Sequence, residues 1–233
     1  MLAGQRPPEP VGSPWVNHWH RRLAWWTGIV AFMATIAYLG NLTTDREGND
    51  VAYQWETSIA TAAQLAIELG IVLALTWGLN RHEFLALRRP TSWWRAAGIS
   101  TIVIIGVFIV GAVVSQFGNA DREQGLIPDY FDSSRAAQFF AFAAVVVVGA
   151  PVVEELMFRG VGYGLLERLG RGRAIVLVGI AFALAHGLVI GFPVIATFGI
   201  GLAFLRARTA SIYPCILLHA SFNAFGLAVG IAS

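Results

Sequence analysis

The chain of 233 residues contains no lysine and a single cysteine, Cys215. One cysteine excludes an internal disulfide and any metal centre built from several thiolates. Charge is scarce as well: 13% of residues are charged, against roughly 25% in ordinary soluble domains. Hydrophobic residues make up 56%, and the mean hydropathy is +0.63. A soluble protein this short cannot hide so much apolar surface; a bilayer removes the problem. The net charge of +2, with no basic block interleaved with aromatics, argues against a nucleic-acid partner. That every basic residue is arginine reflects genome composition more than mechanism. A cleavable signal peptide is not evident. Residues 1–20 are polar and carry Pro7, Pro8, Pro10 and Pro14, and the apolar run that starts at Leu23 is too long for a signal sequence.

What the sequence does have is long apolar runs. A helix crossing the hydrocarbon core needs about 20 apolar residues, and seven candidates stand out: 23–40, 57–79, 97–117, 136–158, 174–190, 194–205 and 210–232. The apolar character of the fourth continues past Arg159 to Leu166. The fifth and sixth form one run broken at Gly191-Phe192-Pro193, which reads as a tight turn. The sixth is the short one, expected to tilt less than its neighbours, to thin the bilayer locally or to be partly re-entrant. The expected fold is all-α, a polytopic transmembrane helical bundle of about seven spans in the cell membrane. No internal repeat is visible. Residues 1–80 read as a tail with two transmembrane helices, a possible appendage, and 81–233 as the core.

Arginines orient the bundle. Arg6, Arg21, Arg22, Arg81, Arg88, Arg89, Arg95, Arg168, Arg171, Arg173, Arg206 and Arg208 fall on one side, against Arg46, Arg122 and Arg135 on the other. The segments 41–56 and 118–135 on that second side are rich in acids. A cytoplasmic N-terminus and an external C-terminus follow.

Ionisable groups inside spans cost about 2.5–3.5 kcal/mol each on insertion scales, so each needs a reason. They are Glu68, Glu154, Glu155, Arg159, His186 and His219, joined by the uncharged Gln64 and Asn223. Counted from the flanking arginines at the helical rise, Glu154, His186 and His219 all lie roughly 16–21 Å from the cytoplasmic boundary. Three helices thus bring polar groups to one level. Glu155 and Arg159 are four apart with the acid first, the favoured order for a pair, and read as a structural ion pair. That leaves Glu154 without an obvious cation. His219 and Asn223 share one helix face, as do Phe182 and His186, although an intramembrane histidine is also a common helix–helix hydrogen-bonding group. Pro151 is expected to kink its span and free a backbone carbonyl. Glu68, one turn from Gln64, is either a polar helix contact or a contributor to the same site.

Three segments together resemble a known family. Glu154-Glu155-Leu156-Met157-Phe158-Arg159 is similar to the EExxxR motif of the CPBP family, which groups type II CAAX prenyl proteases with bacteriocin-processing and immunity-associated membrane proteins. Phe182-Ala183-Leu184-Ala185-His186 resembles its FxxxH motif, and His219-Ala220-Ser221-Phe222-Asn223 its HxxxN motif. Gly160, following Arg159, and the segment Leu87-Arg88-Arg89-Pro90 are family-like too. The resemblance covers roughly residues 84–225. It implies an intramembrane peptidase acting on a membrane-associated peptide or protein, such as a prenylated CAAX-like C-terminus or a leader peptide. Glu154 and His186 would activate a water, while His219 and Asn223 form an oxyanion hole. Physical chemistry supports that division, since peptide hydrolysis needs a base for water and donors for the developing oxyanion. No cofactor is expected on this reading, although Glu154, His186 and His219 could also form a His₂Glu zinc set. The competing readings are a binding-only scaffold or immunity protein, and a small transporter. The latter lacks the two related halves usual for transporters.

Overall fold

The computed structural model describes residues 14–43, 50–118, 128 and 130–232. Arg6, Arg46 and Arg122, used above for orientation, and the terminal Ser233 lie outside the described residues. Eight helices carry the chain: α1 (Pro14–Thr43), α2 (Trp55–Leu75), the short α3 (Arg81–Phe84), α4 (Trp93–Val114), α5 (Ser133–Leu169), α6 (Arg171–Ala185), α7 (Phe192–Thr209) and α8 (Tyr213–Gly230). There is no strand among the described residues. Among the described residues six helices are long and apolar enough to cross a membrane, and the molecule is a helical membrane bundle.

Two sequence expectations are corrected here. The short pass is α6, with 15 residues, whereas α7 runs a full 18 residues. The reversal also comes earlier than Gly191-Phe192-Pro193. Helix α6 ends at His186, Gly187 turns with φ 66°, and Phe192 and Pro193 instead open α7, where proline's fixed φ suits the first helical turn. At about 1.5 Å per residue α6 covers only about 22 Å, short of a full crossing unless the loop 187–191 adds to it. Irregular backbone at membrane depth survives only where protein satisfies it, and α1 does so. Tyr38 Oη donates to Leu188 O at 3.1 Å, and Asn41 Nδ2 donates to Gly187 O at 3.3 Å. Gly187 lies so close to the backbone of Ala37 that a Cβ would collide with it.

Helix α5 is the spine. It is interrupted by two π-helical segments, Val145–Gly149 and Leu156–Gly162, on either side of the α-helical turn holding Glu154 and Glu155. Pro151 is the reason for the first. It has no N–H, and where the ladder has shifted to five-residue spacing the carbonyl left without a partner is that of Val146. Asn223 Nδ2 donates to this oxygen at 2.9 Å. At the second segment Trp26 Nε1 donates to Met157 O at 3.1 Å, and further along Trp19 Nε1 donates to Leu165 O at 2.9 Å. Helix α1 is thus stitched to the spine by two indoles. Trp26, Phe158, Phe182, Phe198 and Leu202 belong to one continuous core.

The two ends of the bundle differ in chemistry. At the arginine-rich end, Arg22 donates to the carbonyls of Leu75 and Trp77. The buried turn Leu85-Ala86 and the following residues lie against 209–212 through Ile212 N to Ala86 O and Arg88 Nε to Ala210 O. At the other end Arg135 bridges Asp50 at 2.7 Å and Asp132 at 2.6 Å. The hydrogen bond from Ser134, together with Arg135, holds the Asp132 carboxyl down at about 2.

Candidate active site

The site lies where α5, α6 and α8 meet. Glu155 and Arg159 form its floor. Both are fully buried, and Arg159 Nη1 donates to Glu155 Oε1 at 2.8 Å. Two buried charges need further partners to offset their desolvation, and both have them. Arg159 Nη2 donates to Gly199 O in α7 at 2.9 Å, and its guanidinium lies 4.2 Å from the centroid of the Phe182 ring in α6. One side chain therefore ties three helices together. The Gly199 carbonyl is within reach because α6 and α7 cross almost backbone to backbone: a Cβ on Gly199 would lie 2.7 Å from Gly179 O.

Glu155 is more than the arginine's partner. Its Oε1 also lies 2.9 Å from His219 Nδ1, so the sequence reading of a self-contained structural pair is incomplete. Phe182 and Phe198 meet the His219 ring edge-on, with centroids 5.6 and 5.5 Å away, and fix its plane. His186 is oriented in the same manner by its own helix, since its Nδ1 lies 2.7 Å from Phe182 O. With each Nδ1 held against an oxygen acceptor, each Nδ1–H is anchored there and each Nε2 is turned toward the site.

Both Nε2 atoms face Glu154. Glu154 Oε2 is 3.9 Å from His186 Nε2 and 3.9 Å from His219 Nε2, and it is buried with no hydrogen-bond partner of its own. That gap is too long for a direct hydrogen bond. Asn223 lies one turn beyond His219, but one of its two amide hydrogens is committed to Val146 O. Of the sequence-derived set, Glu155, Arg159 and His219 are joined in one network, and Glu154 and His186 lie beside it, Glu154 Oε2 being 3.9 Å from each histidine Nε2. Asn223 is linked to the same helix α5 about two turns before Glu154, at Val146 O.

Glu154 and His186 also line a cavity of about 170 Å³ shared with Met33, Gln64, Glu68 and Phe158. Glu68 thus belongs to the wall of this cavity. Its Oε1 accepts from Gln64 Nε2 at 2.9 Å, while its Oε2 is buried and unpaired. Sequence reading named neither Phe198, Gly199 nor the Val146 carbonyl. The first two carry no chemical signal, whereas Val146 could have been found from its place five residues before Pro151.

A zinc ion held by Glu154, His186 and His219 is tested by the same distances. Tetrahedral zinc sets its ligand atoms about 3.3 Å apart, closer than the 3.9 Å found between Glu154 Oε2 and each Nε2. No group of three histidine, cysteine or acidic residues among the described residues is gathered closely enough to hold a metal ion. As placed, these side chains do not fit a metal.

Residues 136–225 match the family model described as type II CAAX prenyl endopeptidase, Rce1-like. The match runs from α5 into α8 and takes in all three motifs singled out in the sequence. No curated protein and no solved structure matches the chain.

Proposed function

We propose, on the premise that residues 136–225 belong to the CAAX-protease family, that the protein is an intramembrane endopeptidase. In this reading it cleaves a peptide bond of a membrane-associated substrate, of which a prenylated CAAX-like C-terminus is the first to try. The observation that carries the reading is the placement of Glu154 Oε2 at equal distance from two oriented Nε2 atoms. A water in that gap donates one hydrogen to Glu154 and the other to His186 Nε2. Glu154 takes the proton as the water oxygen attacks the scissile carbonyl. The tetrahedral oxyanion needs donors. The second amide hydrogen of Asn223 is one. His219 is the other when both its nitrogens are protonated, with Nδ1–H anchored on Glu155 and Nε2–H free. Collapse of the intermediate expels the amine, which takes the proton back from Glu154. Arg159 touches no reacting atom; it positions Glu155 and, through it, His219. No step uses a cofactor. The protein works in a membrane, in this reading the cell membrane with the N-terminus cytoplasmic.

The test is turnover of a farnesylated CAAX-like peptide by the protein in liposomes. Glu154→Gln keeps the shape but cannot accept a proton, so turnover collapses while the melting temperature holds. His219→Ala and Asn223→Ala each lower the rate about 10²–10³-fold. Strong chelators leave activity intact; loss on chelation with recovery on adding Zn²⁺ would establish the metal version instead. Undiminished turnover by Glu154→Gln sinks the mechanism.

A further inference from the structure

Helix α2 lies outside the matched segment, yet it places a carboxyl group in the cavity that Glu154 and His186 line. Glu68 is only 5% exposed. One of its oxygens is satisfied by Gln64, one turn earlier on the same helix, and the other has no donor. A carboxyl oxygen buried in a membrane protein without a donor is a standing cost. Glu155 Oε2 is buried without a partner as well, but it lines no such cavity; the unpaired oxygen of Glu68 belongs to a residue on the cavity wall. The atoms around Glu68 in the cavity do not supply the missing donor. Met33, Phe158 and Ala185 are apolar, and Glu154 is a second acid with its own unpaired oxygen. His186 has its Nδ1 proton committed to Phe182 O. The cavity therefore has acids on two of its walls and no cation among its lining residues.

We infer that Glu68, held by Gln64, is a specificity-determining residue that accepts a hydrogen bond from an N–H group of the peptide substrate bound against Glu154. The inference rests on the peptidase reading for its ligand. An N–H donor fits because the free group is an acceptor, and because a peptide entering an apolar site must itself satisfy its amides. The donor comes either from the substrate backbone or from a basic side chain, and the two are separable by experiment.

The probes are a farnesylated CAAX-like peptide with a lysine near the cleavage site, the same peptide with norleucine in place of that lysine, and a set with single N-methylated amides. Binding is measured to the Glu154→Gln protein in nanodiscs, with and without Glu68→Leu. KM and kcat are measured for the protein carrying its native Glu154. Glu68→Leu weakens binding and raises KM about 10- to 100-fold, the range for a hydrogen bond to a charged group, with a smaller change in kcat. Glu68→Gln, which keeps an acceptor oxygen, loses less. One modified peptide, norleucine or a particular N-methyl form, shows the same loss with Glu68 present and no further loss in Glu68→Leu, which identifies the donor.

Thermal stability provides the second readout. Replacing an unpaired buried acid by leucine leaves the melting temperature of the empty protein unchanged or raises it, whereas a structural role for Glu68 requires it to fall. A destabilised Glu68→Leu protein that binds all peptides normally overturns the inference. So does failure of both proteins to bind any peptide. Binding that depends on Glu68 without any turnover sinks the peptidase reading and leaves the subsite standing.

Discussion

Arg159 shows how much a single buried side chain can carry. It offers one nitrogen to Glu155, another to the carbonyl of Gly199, and its flat face to Phe182. Arg159→Ala leaves Glu155 buried without its cation and removes the tie to α7 at Gly199 O. Breaking a buried pair from one side costs about 3–5 kcal/mol, so thermal unfolding in detergent should show a large loss of stability. Arg159→Lys rescues only in part, because a single ammonium cannot reproduce the planar fork. Glu155→Gln is predicted to separate stability from chemistry. The amide still accepts from Arg159 or His219, so the fold survives with a modest loss, but His219 is no longer fixed by a carboxylate and turnover drops. A Glu155→Gln enzyme with normal turnover, or a fully stable Arg159→Ala protein, contradicts this assignment. The i,i+4 spacing made the Glu155–Arg159 pair legible in the sequence. The further bond to His219 was not, because it joins residues 64 apart in sequence and no local periodicity encodes which face of α8 meets α5.

Among elements, α5 and the α6–α7 hairpin illustrate the same limit. Pro151 announces a disturbance, and one is found, but as a π segment whose spare carbonyl is taken by Asn223. Length and hydropathy located the passes well. They misplaced the α6–α7 turn because glycine and proline next to each other mark either a turn or a helix start, and tertiary packing decides between them. The crossing of these two helices depends on Gly179 and Gly199, the small-residue contact that lets backbones approach in membranes. Gly199→Ala would set a methyl 2.7 Å from Gly179 O, forcing the helices apart and pulling the Gly199 carbonyl from Arg159. The expected result is a loss of melting temperature comparable to that of Arg159→Ala. The two effects should be markedly less than additive in the double variant, since both break one network. Additive losses would place the glycine contact outside that network. At the acidic end the Asp132 carboxyl titrates at about 2, below its ordinary 3.8, chiefly because Ser134 and Arg135 donate to it. A depressed carboxylate favours folding above the unfolded value and loses that contribution as pH falls from about 4 toward 2. Asp132→Asn should flatten the pH dependence of local amide exchange in residues 130–136 over that window; an unchanged profile contradicts the assignment.

At the scale of the whole molecule, the number of passes decides which way the site faces. Among the described residues six helices meet the length and hydropathy expected of a span, while α6 with 15 residues does not. Seven passes result only if α6 and the loop 187–191 together cross, and the hydrogen bonds from Tyr38 and Asn41 near the far end of α1 support that crossing. The ends of α6 agree. Arg171 and Arg173 lie at its start, beside the arginine-rich end of the bundle, and Ile190 meets Gly118 just beyond the far end of α4. An odd number of passes puts the termini on opposite sides, and the arginine bias puts the N-terminus in the cytoplasm. A reporter fused after Ser233 should therefore be active only on the external side. One inserted in the loop between α2 and α4, after Asn80, should be active only on the cytoplasmic side. The paired reading matters because the two fusions fail differently. A cytoplasmic signal from the C-terminal fusion alone means that α6 does not cross while α7 does, leaving six passes. An external signal from the loop fusion together with a cytoplasmic one from the C-terminus means that the passes are seven and the orientation is reversed.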